Sequence, residues 1–319
     1  MATMRRGTMS VACALLALGL PLGATGQSPQ TTAAASTTEE TRKLALAFLT
    51  QMFDGGDMDG AYARYAAPDF VQHNPEMADG VAAHRAYFAH KTMAAGASIR
   101  RVNVTNMLLV DGDLFALHHT LFTAPNEPAR FFVDIWRVAG GRIVEHWDVI
   151  QTQPTTSANT NGMGCGSGQD YVGAARAVGP IAEPTCGLPS KGAKRADSIA
   201  TLANYSTALH SGDVAKAILD WLTSDYRQHS PGIADGRAGA LAYLQQAYGK
   251  GTAAMPHMGP IRTIAEGDFV LQHRLTTNPA TGETTANISI FRIRDGQISE
   301  HWDLRQSVPV KAENHNGMW

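Results

Sequence analysis

One acidic residue stands out in a segment with strand-like alternation, Phe131–Val138. The alternation places Phe132, Asp134 and Trp136 on one face of the predicted strand. A carboxylate between two aromatic rings is costly to bury, and burial raises its pKa, which suits a general base acting near neutral pH. Asp134 is therefore the predicted catalytic base. The alternative is a partly exposed aspartate in a structural salt bridge with an arginine.

Two adjacent histidines, His118 and His119, lie on the preceding predicted strand. Neighbouring strand residues point to opposite faces, so one of the two must face inward. His118 has an equivalent, His273, in a second copy of this segment, whereas His119 is replaced there by Arg274. We therefore predict that His118 faces inward, where an imidazole could stabilise a developing oxyanion or carry a proton. A hydrogen-bonded core histidine is the alternative.

The motif His73-Asn74-Pro75 follows the second predicted helix. Proline favours an extended conformation at Asn74, which sets both side chains at the mouth of a loop. His73 and Asn74 are therefore candidate substrate-binding residues that could orient a carbonyl group. They could equally satisfy backbone groups of the loop.

The motif Glu145-His146-Trp147-Asp148 lies in the last predicted strand of this region. Alternation puts His146 and Asp148 on one face and Trp147 on the other, in the core. Residues i and i+2 of a strand lie too far apart for a direct bond without help. We therefore expect His146 and Asp148, together with Trp136, to bind substrate rather than to act as a directly bonded pair.

The sequence gives little support for metal or cofactor chemistry. A metal site built from His73, His118, Asp134 and His146 is conceivable, but no metal-binding spacing such as HExxH occurs. There is also no Gly-rich phosphate loop and no nucleophile elbow. With 26 basic and 28 acidic residues, the chain has no net basic field for nucleic acid. We therefore expect no metal, no cofactor and no nucleic-acid partner.

The same motifs occur twice in the chain of 319 residues. Four segments return after 155 or 156 positions: 69–80 as 225–236, 112–118 as 267–273, 145–148 as 300–303, and 161–163 as 316–318. A near-constant offset over so long a stretch indicates a duplicated domain rather than a solenoid repeat.

In each copy, the sequence pattern predicts three helices followed by antiparallel strands. Overlapping capping boxes at Ser36–Glu39 and Thr37–Glu40 begin the first helix, and two more helices follow before Gly96. Alternation then predicts four strands: Val102–Val110, Leu114–Phe122, Phe131–Val138 and Ile143–Ile150. The second copy predicts helices near 199–209, 214–222 and 238–248, then strands up to Gln306. The fold class is therefore α+β, with helices packed on a curved sheet.

The amino terminus predicts export. Arg5 and Arg6 precede an apolar run, Val11–Leu22, that is too short to span a bilayer of roughly 30 Å and is followed by small residues. This order is typical of a signal peptide, assigned to residues 1–26 and followed by a disordered tether at 27–37. General secretory and twin-arginine signals both remain open. We expect a periplasmic or secreted protein with no membrane partner.

Two cysteines remain after the predicted signal peptide, Cys165 and Cys186. They lie in a Gly/Pro-rich segment, 164–195, that we interpret as a linker between the two copies. Two thiols in an exported protein usually pair, so a disulfide is predicted between them. A catalytic or metal-binding cysteine is the alternative.

These motifs together resemble the SnoaL-like polyketide cyclase family of the nuclear transport factor 2-like superfamily. The resemblance covers residues 38–163 and, more loosely, 196–319. It implies two cone-shaped α+β barrels, each with three helices packed on a strongly curved, mostly antiparallel sheet around a deep pocket. It also implies intramolecular aldol cyclisation without metal or cofactor, with the catalytic aspartate at Asp134. The superfamily also contains isomerases, epoxide hydrolases and non-enzymatic binding proteins.

The second copy departs from the family pattern at the base position. Ser289 replaces Asp134 and Ser230 replaces Asn74, and a serine hydroxyl cannot act as the base that a carboxylate can. A second pocket is therefore predicted to bind without turnover. Its candidate residues are His229, His273, Ser289 and His301. Because family members commonly dimerise through their sheets, the resemblance implies an internal pseudo-dimer.

The leading functional hypothesis is an exported, cofactor-independent acid–base enzyme that acts on a small carbonyl compound. Asp134 would remove a proton next to the carbonyl, and His118, with His73 and Asn74, would stabilise the enolate. Aldol condensation, cyclisation or isomerisation would follow. The alternatives are a small-molecule-binding protein without chemistry and epoxide-hydrolase-like addition of water.

Overall fold

The structure is a computed structural model that describes residues 36–95, 101–165, 170–248, 260–278 and 280–319. The predicted signal peptide, 1–26, and most of the predicted tether, 27–37, lie outside the described residues. None of the described helices is both long and apolar enough to cross a membrane.

The first half of the structure contains three helices and five strands. In chain order they are α1 (Thr38–Leu49), α2 (Met58–Tyr65), β1 (Ala66–Gln72), α3 (Gly80–Ala95), β2 (Val102–Asp111), β3 (Leu114–Phe122), β4 (Arg130–Ala139) and β5 (Arg142–Thr152). The predicted capping box between Thr37 and Glu40 is present at the start of α1. A π-helical turn, Thr50–Asp54, follows the end of α1. The predicted α+β class is confirmed.

The strand order is β1-β5-β4-β3-β2, and only β1 is parallel to its neighbour. The sequence analysis missed β1. This strand contains Pro68 and lies at an edge of the sheet, and its pairing with β5 is irregular between Ala66 and Val71. Proline cannot donate a ladder hydrogen bond, so the segment lacks the pattern of an interior strand.

The segment between the halves holds the predicted disulfide. Cys165 and Cys186 are bonded, with their Cα atoms 5.0 Å apart, so this prediction is confirmed. A short helix that was not predicted, α4 (Tyr171–Ala177), lies inside the disulfide loop. Asp170 caps it by accepting a hydrogen bond from the Gly173 amide, and its residue Ala174 is fully buried.

The second half repeats the architecture of the first. Its elements are α5 (Arg195–His210), α6 (Val214–Trp221), β6 (Leu222–Gln228), α7 (Gly236–Tyr248), β7 (Arg262–Glu266), β8 (Phe269–Thr277), β9 (Thr284–Arg294) and β10 (Gln297–Ser307). The strand order, β6-β10-β9-β8-β7, matches that of the first half position by position. The chain is therefore a structural duplication as well as a sequence duplication.

Each sheet has one face toward its own helices and the other toward the second sheet. The helix-side core of the first half includes Phe48, Phe115 and Trp136. The helix-side core of the second half includes Ile218, Val270 and Phe291. A third core lies between the sheets and contains residues from both halves, among them Val133, Ile135, Trp147, Ile288, Ile290 and Trp302. Burial on both faces explains why these strands contain so few exposed apolar residues.

Reciprocal hydrogen bonds connect the two sheets. The Ile150 amide donates to Gln306 Oε1 at 2.7 Å, and the Arg305 amide donates to the equivalent Gln151 Oε1 at 2.9 Å. At the other end of the interface, the Val110 amide donates to Glu266 Oε2 at 2.7 Å, and the Ala265 amide donates to Asp111 Oδ2 at 3.0 Å. Equivalent residues thus exchange partners, as in an isologous interface.

Each half also ends in an arm that crosses to the other half. The linker arm, residues 153–163, follows β5 and binds the second half, where the Ala158 amide donates to Pro231 O at 2.7 Å. The C-terminal arm, residues 308–319, follows β10 and binds the first half, where the Glu313 amide donates to Pro75 O at 2.8 Å. The two arms are therefore exchanged between the halves.

Candidate active site

Asp134 lies at the centre of a buried polar cluster on the helix side of the first sheet. It is on β4, between β3 and β5, and only 9% of the residue is exposed. His119 Nε2 donates to its Oδ2 at 3.0 Å, and His146 Nε2 donates to its Oδ1 at 3.1 Å. The strand pairing thus places one carboxylate between two imidazoles from the neighbouring strands.

The opposite ring nitrogens of both histidines are held by side-chain amides. His146 Nδ1 lies 3.0 Å from Gln72 Oε1, and this oxygen also accepts the backbone amide of Asn74 at 2.8 Å. His119 Nδ1 lies 2.5 Å from Asn103 Oδ1, and its ring stacks on Phe132. Each imidazole is therefore fixed at both ends, with Nε2 toward Asp134.

A second buried carboxyl, Asp148, lies beside Asp134 on β5, and the two residues are paired across the strands. Asn74 Nδ2 donates to Asp148 Oδ2 at 2.5 Å. Asp148 Oδ1 is buried and has no hydrogen-bond partner among the described residues. Burial raises the pKa of Asp148 to about 6, and the neighbouring charge of Asp134 contributes to the increase.

The pKa of Asp134 moves in the opposite direction. Burial alone would raise it, but the hydrogen bonds and charges of His119 and His146 outweigh burial and lower the pKa to about 2. The prediction that Asp134 carries a raised pKa is therefore wrong. Asp148, predicted only as a binding residue, is the carboxyl with the raised pKa.

The predicted inward orientation of His118 is also wrong. Register pairs His118 with Val133, so its ring lies between the sheets, and His119 is the residue that reaches Asp134. Among the described residues neither ring nitrogen of His118 has a hydrogen-bond partner, and burial lowers its pKa to about 3. Its equivalent, His273, occupies the same inter-sheet face with Nδ1 3.3 Å from Arg262 Nη1. The duplicated histidine therefore marks the interface and not the pocket.

His73 and its equivalent His229 also face away from the helix-side polar residues of their sheets. His73 Nδ1 donates to Gly317 O at 2.7 Å, its Nε2 lies 2.9 Å from Glu145 Oε1, and its ring stacks on Trp147. His229 makes the same three contacts in the second half, with Gly162, Glu300 and Trp302. Both predicted binding histidines are therefore interface residues with both ring nitrogens engaged, whereas Asn74 does reach the cluster.

Tyr62 is a residue of the cluster that sequence analysis did not identify as functional. Trp136 Nε1 donates to its hydroxyl at 3.2 Å, and Trp136 stacks on His146. Burial, together with the charges of Asp134 and Asp148, raises the pKa of Tyr62 above its ordinary value, so the hydroxyl keeps its proton. The replacement of Tyr62 by Ile218 in the second copy is a signal that could have identified it.

A cavity of about 770 Å³ lies against α2 and α3, and its lining includes Met52, Met58, His84 and Phe88. His84 stacks on Tyr62 with ring centroids 3.6 Å apart, so one ring connects the cavity wall to the cluster. Burial lowers the pKa of His84 to about 3, and the charges of His146 and Asp134 also act on it. A small molecule in this cavity would touch His84, which separates it from Tyr62 of the cluster.

The cluster also has ligand types that bind cations. Asp134, His146 and Asp148 each offer one ligand atom, and these atoms lie within 4.8 Å of one another. The four-residue metal set considered from the sequence is not assembled, because His73 and His118 lie on the other face of the sheet.

The equivalent face of the second half has a different charge arrangement. Ser289 Oγ donates to Asp303 Oδ1 at 2.7 Å, and His301 Nε2 lies 3.1 Å from the same oxygen. Burial opposes ionisation of Asp303, but the charge and hydrogen bond of His301 lower its pKa to about 2. Histidine and aspartate at i and i+2 of a strand were expected to lie too far apart for a direct bond without help, and this half contains such a contact. One carboxylate remains there, where the first half has two.

The sequence matches the family model for the SnoaL-like domain twice, at residues 45–146 and 202–301. An NTF-2 like protein of unknown function from Burkholderia xenovorans LB400 is 18% identical over 37% of this chain and 88% of its own, with a TM-score of 0.30. IdmH, a candidate polyketide cyclase from Streptomyces antibioticus, is 24% identical over 34% of this chain and 91% of its own, with a TM-score of 0.28. A candidate ketosteroid isomerase from Kribbella flavida DSM 17836 is 22% identical over 38% and 83%, with a TM-score of 0.30. No curated protein sequence matches the chain.

Proposed function

The chain belongs to the SnoaL-like domain family, and from that premise we propose that its first half is an acid–base enzyme acting on a small carbonyl compound. The observation that carries the proposal is the pair of adjacent buried carboxyl groups, Asp134 and Asp148, whose pKa values lie about 2 and about 6. Environments that separate the pKa values of two neighbouring carboxyl groups are typical of sites with one permanently ionised group and one proton-transferring group.

In this proposal Asp148 exchanges the proton with the substrate. A pKa of about 6 lies close to the operating pH, where a general base is most effective, and Oδ1 is not engaged by any described residue. Asp148 removes a proton from the carbon next to the carbonyl and so forms an enolate. Tyr62 keeps its hydroxyl proton and donates a hydrogen bond to the enolate oxygen.

Two outcomes complete the reaction with atoms in balance. In an isomerisation, the proton held by Asp148 returns to another atom of the enolate. In an aldol condensation or cyclisation, the enolate carbon attacks a second carbonyl, and the new alkoxide takes the proton from Asp148. Asp134 stays ionised throughout and holds His119 and His146 in place through their Nε2 protons.

Asp134→Asn in the full chain tests this function. A panel of small carbonyl compounds is incubated with the protein, and products are identified by mass spectrometry. We expect the variant to fold and to lose at least about a hundredfold in turnover, because the carboxylate that accepts hydrogen bonds from both histidines is lost. Ser289→Ala, at the equivalent position of the second half, is the matched control and should keep full turnover.

Unchanged turnover in Asp134→Asn would remove Asp134 from the catalytic site, and with it the pair of carboxyl groups that carries the proposal. Binding of a compound without product by both wild type and variant would instead support the small-molecule-binding alternative. We propose that the second half has no turnover of its own, because Ser289 stands at the position of Asp134 and Asp303 is already bound by Ser289 and His301.

We also propose that the protein is exported and that its halves form an internal pseudo-dimer. The disulfide between Cys165 and Cys186 supports export, since disulfides persist in oxidising compartments. The reciprocal hydrogen bonds between the sheets and the exchanged arms support the pseudo-dimer. A mature amino terminus near Gln27, with a monomer mass by light scattering, is the expected result. An uncleaved intracellular chain would contradict export, and a stable dimer formed through the same sheets would contradict the pseudo-dimer.

A further inference from the structure

The C-terminal arm holds the loop of the first half that follows β1. Asn314 is buried, and its Nδ2 donates to two backbone carbonyls of this loop, Asn74 O at 2.7 Å and Met77 O at 2.8 Å. A single side-chain amide therefore binds two backbone carbonyls of the loop at once. The bonds come from a residue 240 positions later in the sequence.

Asn316 holds the start of the same loop. Its Nδ2 donates to Gln72 O at 2.9 Å and to Asp79 Oδ1 at 2.7 Å. Asp79 Oδ1 also accepts the Gln72 amide at 2.8 Å, so Asn316 bonds to both ends of the loop. The arm thus fixes the loop at its first residue, its middle and its last turn.

The loop residues held in this way are the ones that orient the two key side chains of the cluster. Gln72 Oε1 lies 3.0 Å from His146 Nδ1, and Asn74 Nδ2 donates to Asp148 Oδ2. The amides of the arm therefore bond directly to the backbone of Gln72 and Asn74, whose side chains hold His146 and Asp148. A shift of the loop would change both contacts together.

We propose that the C-terminal arm of the second half is a positioning element of the first-half site, with Asn314 and Asn316 as its positioning residues. The second half then acts as a built-in partner that completes the site of the first. This inference rests on the proposed function for its catalytic meaning, although its contacts are independent of any substrate.

The linker arm offers a matched set of contacts on the other side. Asn159 Nδ2 donates to Ser230 O at 2.7 Å and Ile233 O at 2.8 Å, and Asn161 Nδ2 donates to Gln228 O at 2.9 Å. The backbone arrangement is the same, but the chemistry beyond it differs, since Asp303 is bound by Ser289 and His301. The two arms therefore separate a purely structural role from a positioning role.

The experiment compares Asn314→Ala/Asn316→Ala with Asn159→Ala/Asn161→Ala in the full chain. Carbon-detected NMR follows the titration of the Asp148 carboxyl, and thermal unfolding reports stability. Both double variants should lower Tm by several degrees, because each removes equivalent hydrogen bonds. Only Asn314→Ala/Asn316→Ala should raise the pKa of Asp148, by about one pH unit, because the Asn74 amide stabilises the ionised form.

An unchanged Asp148 titration in Asn314→Ala/Asn316→Ala would overturn the proposal, and so would equal changes in both double variants. If that double variant does not fold, the single variant Asn316→Ala gives the same test with Asn314 still in place. No substrate is needed for these measurements. A failure of the proposed function, seen as full turnover in Asp134→Asn, is therefore distinguishable from a failure of the arm to position the cluster.

Discussion

The two halves share their elements, their strand order and their exchanged arms. Their residues match closely on the face between the sheets and less closely on the face toward the helices. The inter-sheet faces match: His118 with His273, His73 with His229, and Trp147 with Trp302. The helix-side faces match only in part. Gln72, His146 and Asp148 recur as Gln228, His301 and Asp303, but five residues differ: Tyr62 becomes Ile218, Asn74 becomes Ser230, His119 becomes Arg274, Asp134 becomes Ser289 and Trp136 becomes Phe291. Repetition alone therefore does not separate the interface from the site, because the cluster residue Asp148 is repeated as Asp303 whereas Asp134 is replaced by Ser289.

The matched inter-sheet face predicts the largest effects on stability. Trp147 and Trp302 are both fully buried between the sheets. The guanidinium of Arg262 lies 3.6 Å from the Trp147 ring centroid, whereas the nearest arginine over Trp302 is Arg292 at 5.9 Å. We expect Trp147→Ala to cost about 5 kcal/mol of unfolding free energy and Trp302→Ala about 3–4 kcal/mol. Both substitutions leave a cavity, and Trp147→Ala also removes a close cation–π contact. Urea unfolding measures both. A larger loss at Trp302 would contradict this ranking.

The differences between the halves on the helix-side face predict an effect on turnover in the first half alone. Asp148→Asn should reduce kcat/KM by roughly 10²–10³-fold, equivalent to about 3–4 kcal/mol, because the proton-transferring carboxyl is lost. In wild type, kcat/KM should fall as the pH drops through about 6, since the ionised form of Asp148 is the base. Asp303→Asn is the matched control and should leave the profile unchanged. A wild-type profile without a limb near pH 6 would place the base elsewhere.

A smaller effect is expected from the histidines between the sheets. The pKa of His118 in the folded protein is about 3, against an ordinary value of 6.5. Between these values the unfolded chain binds a proton that the folded chain does not, so the free energy of unfolding falls as pH drops below 6.5. We expect a decrease of about 1.4 kcal/mol per pH unit from His118.

His118→Leu tests this contribution by calorimetry between pH 7 and pH 4.5. The variant should lose stability less steeply with acid than wild type. Subtracting the two curves cancels the contributions of the other titrating groups, including Asp148, whose raised pKa acts in the opposite direction. Parallel curves would show that His118 does not resist protonation in the folded state.

The sheet was predictable where its strands alternate, and the site was predictable only in part. Strands β2–β5 follow the predicted segments closely, because each presents a different set of residues to its two faces. Strand β1 was missed because it is a parallel edge strand that contains Pro68. Alternation states that His118 and His119 face opposite ways, but it does not state which face is the pocket.

The remaining errors come from contacts across long separations in the sequence. The low pKa of Asp134 depends on His119 and His146, which lie on neighbouring strands, and the balance between burial and two hydrogen bonds is a matter of geometry. The role of His73 depends on Gly317, 244 positions away. No local pattern near His73 could indicate that its partner is on the last segment of the chain.

The exchanged arms impose an order on the making of the protein. Asn314 and Asn316 are synthesised long after the loop at 72–79, so this loop is without its four amide bonds until translation has passed residue 316. We expect a chain halted before residue 314 to form the first sheet but to leave this loop open to protease. Maturation of the first half is thus timed by the completion of the second.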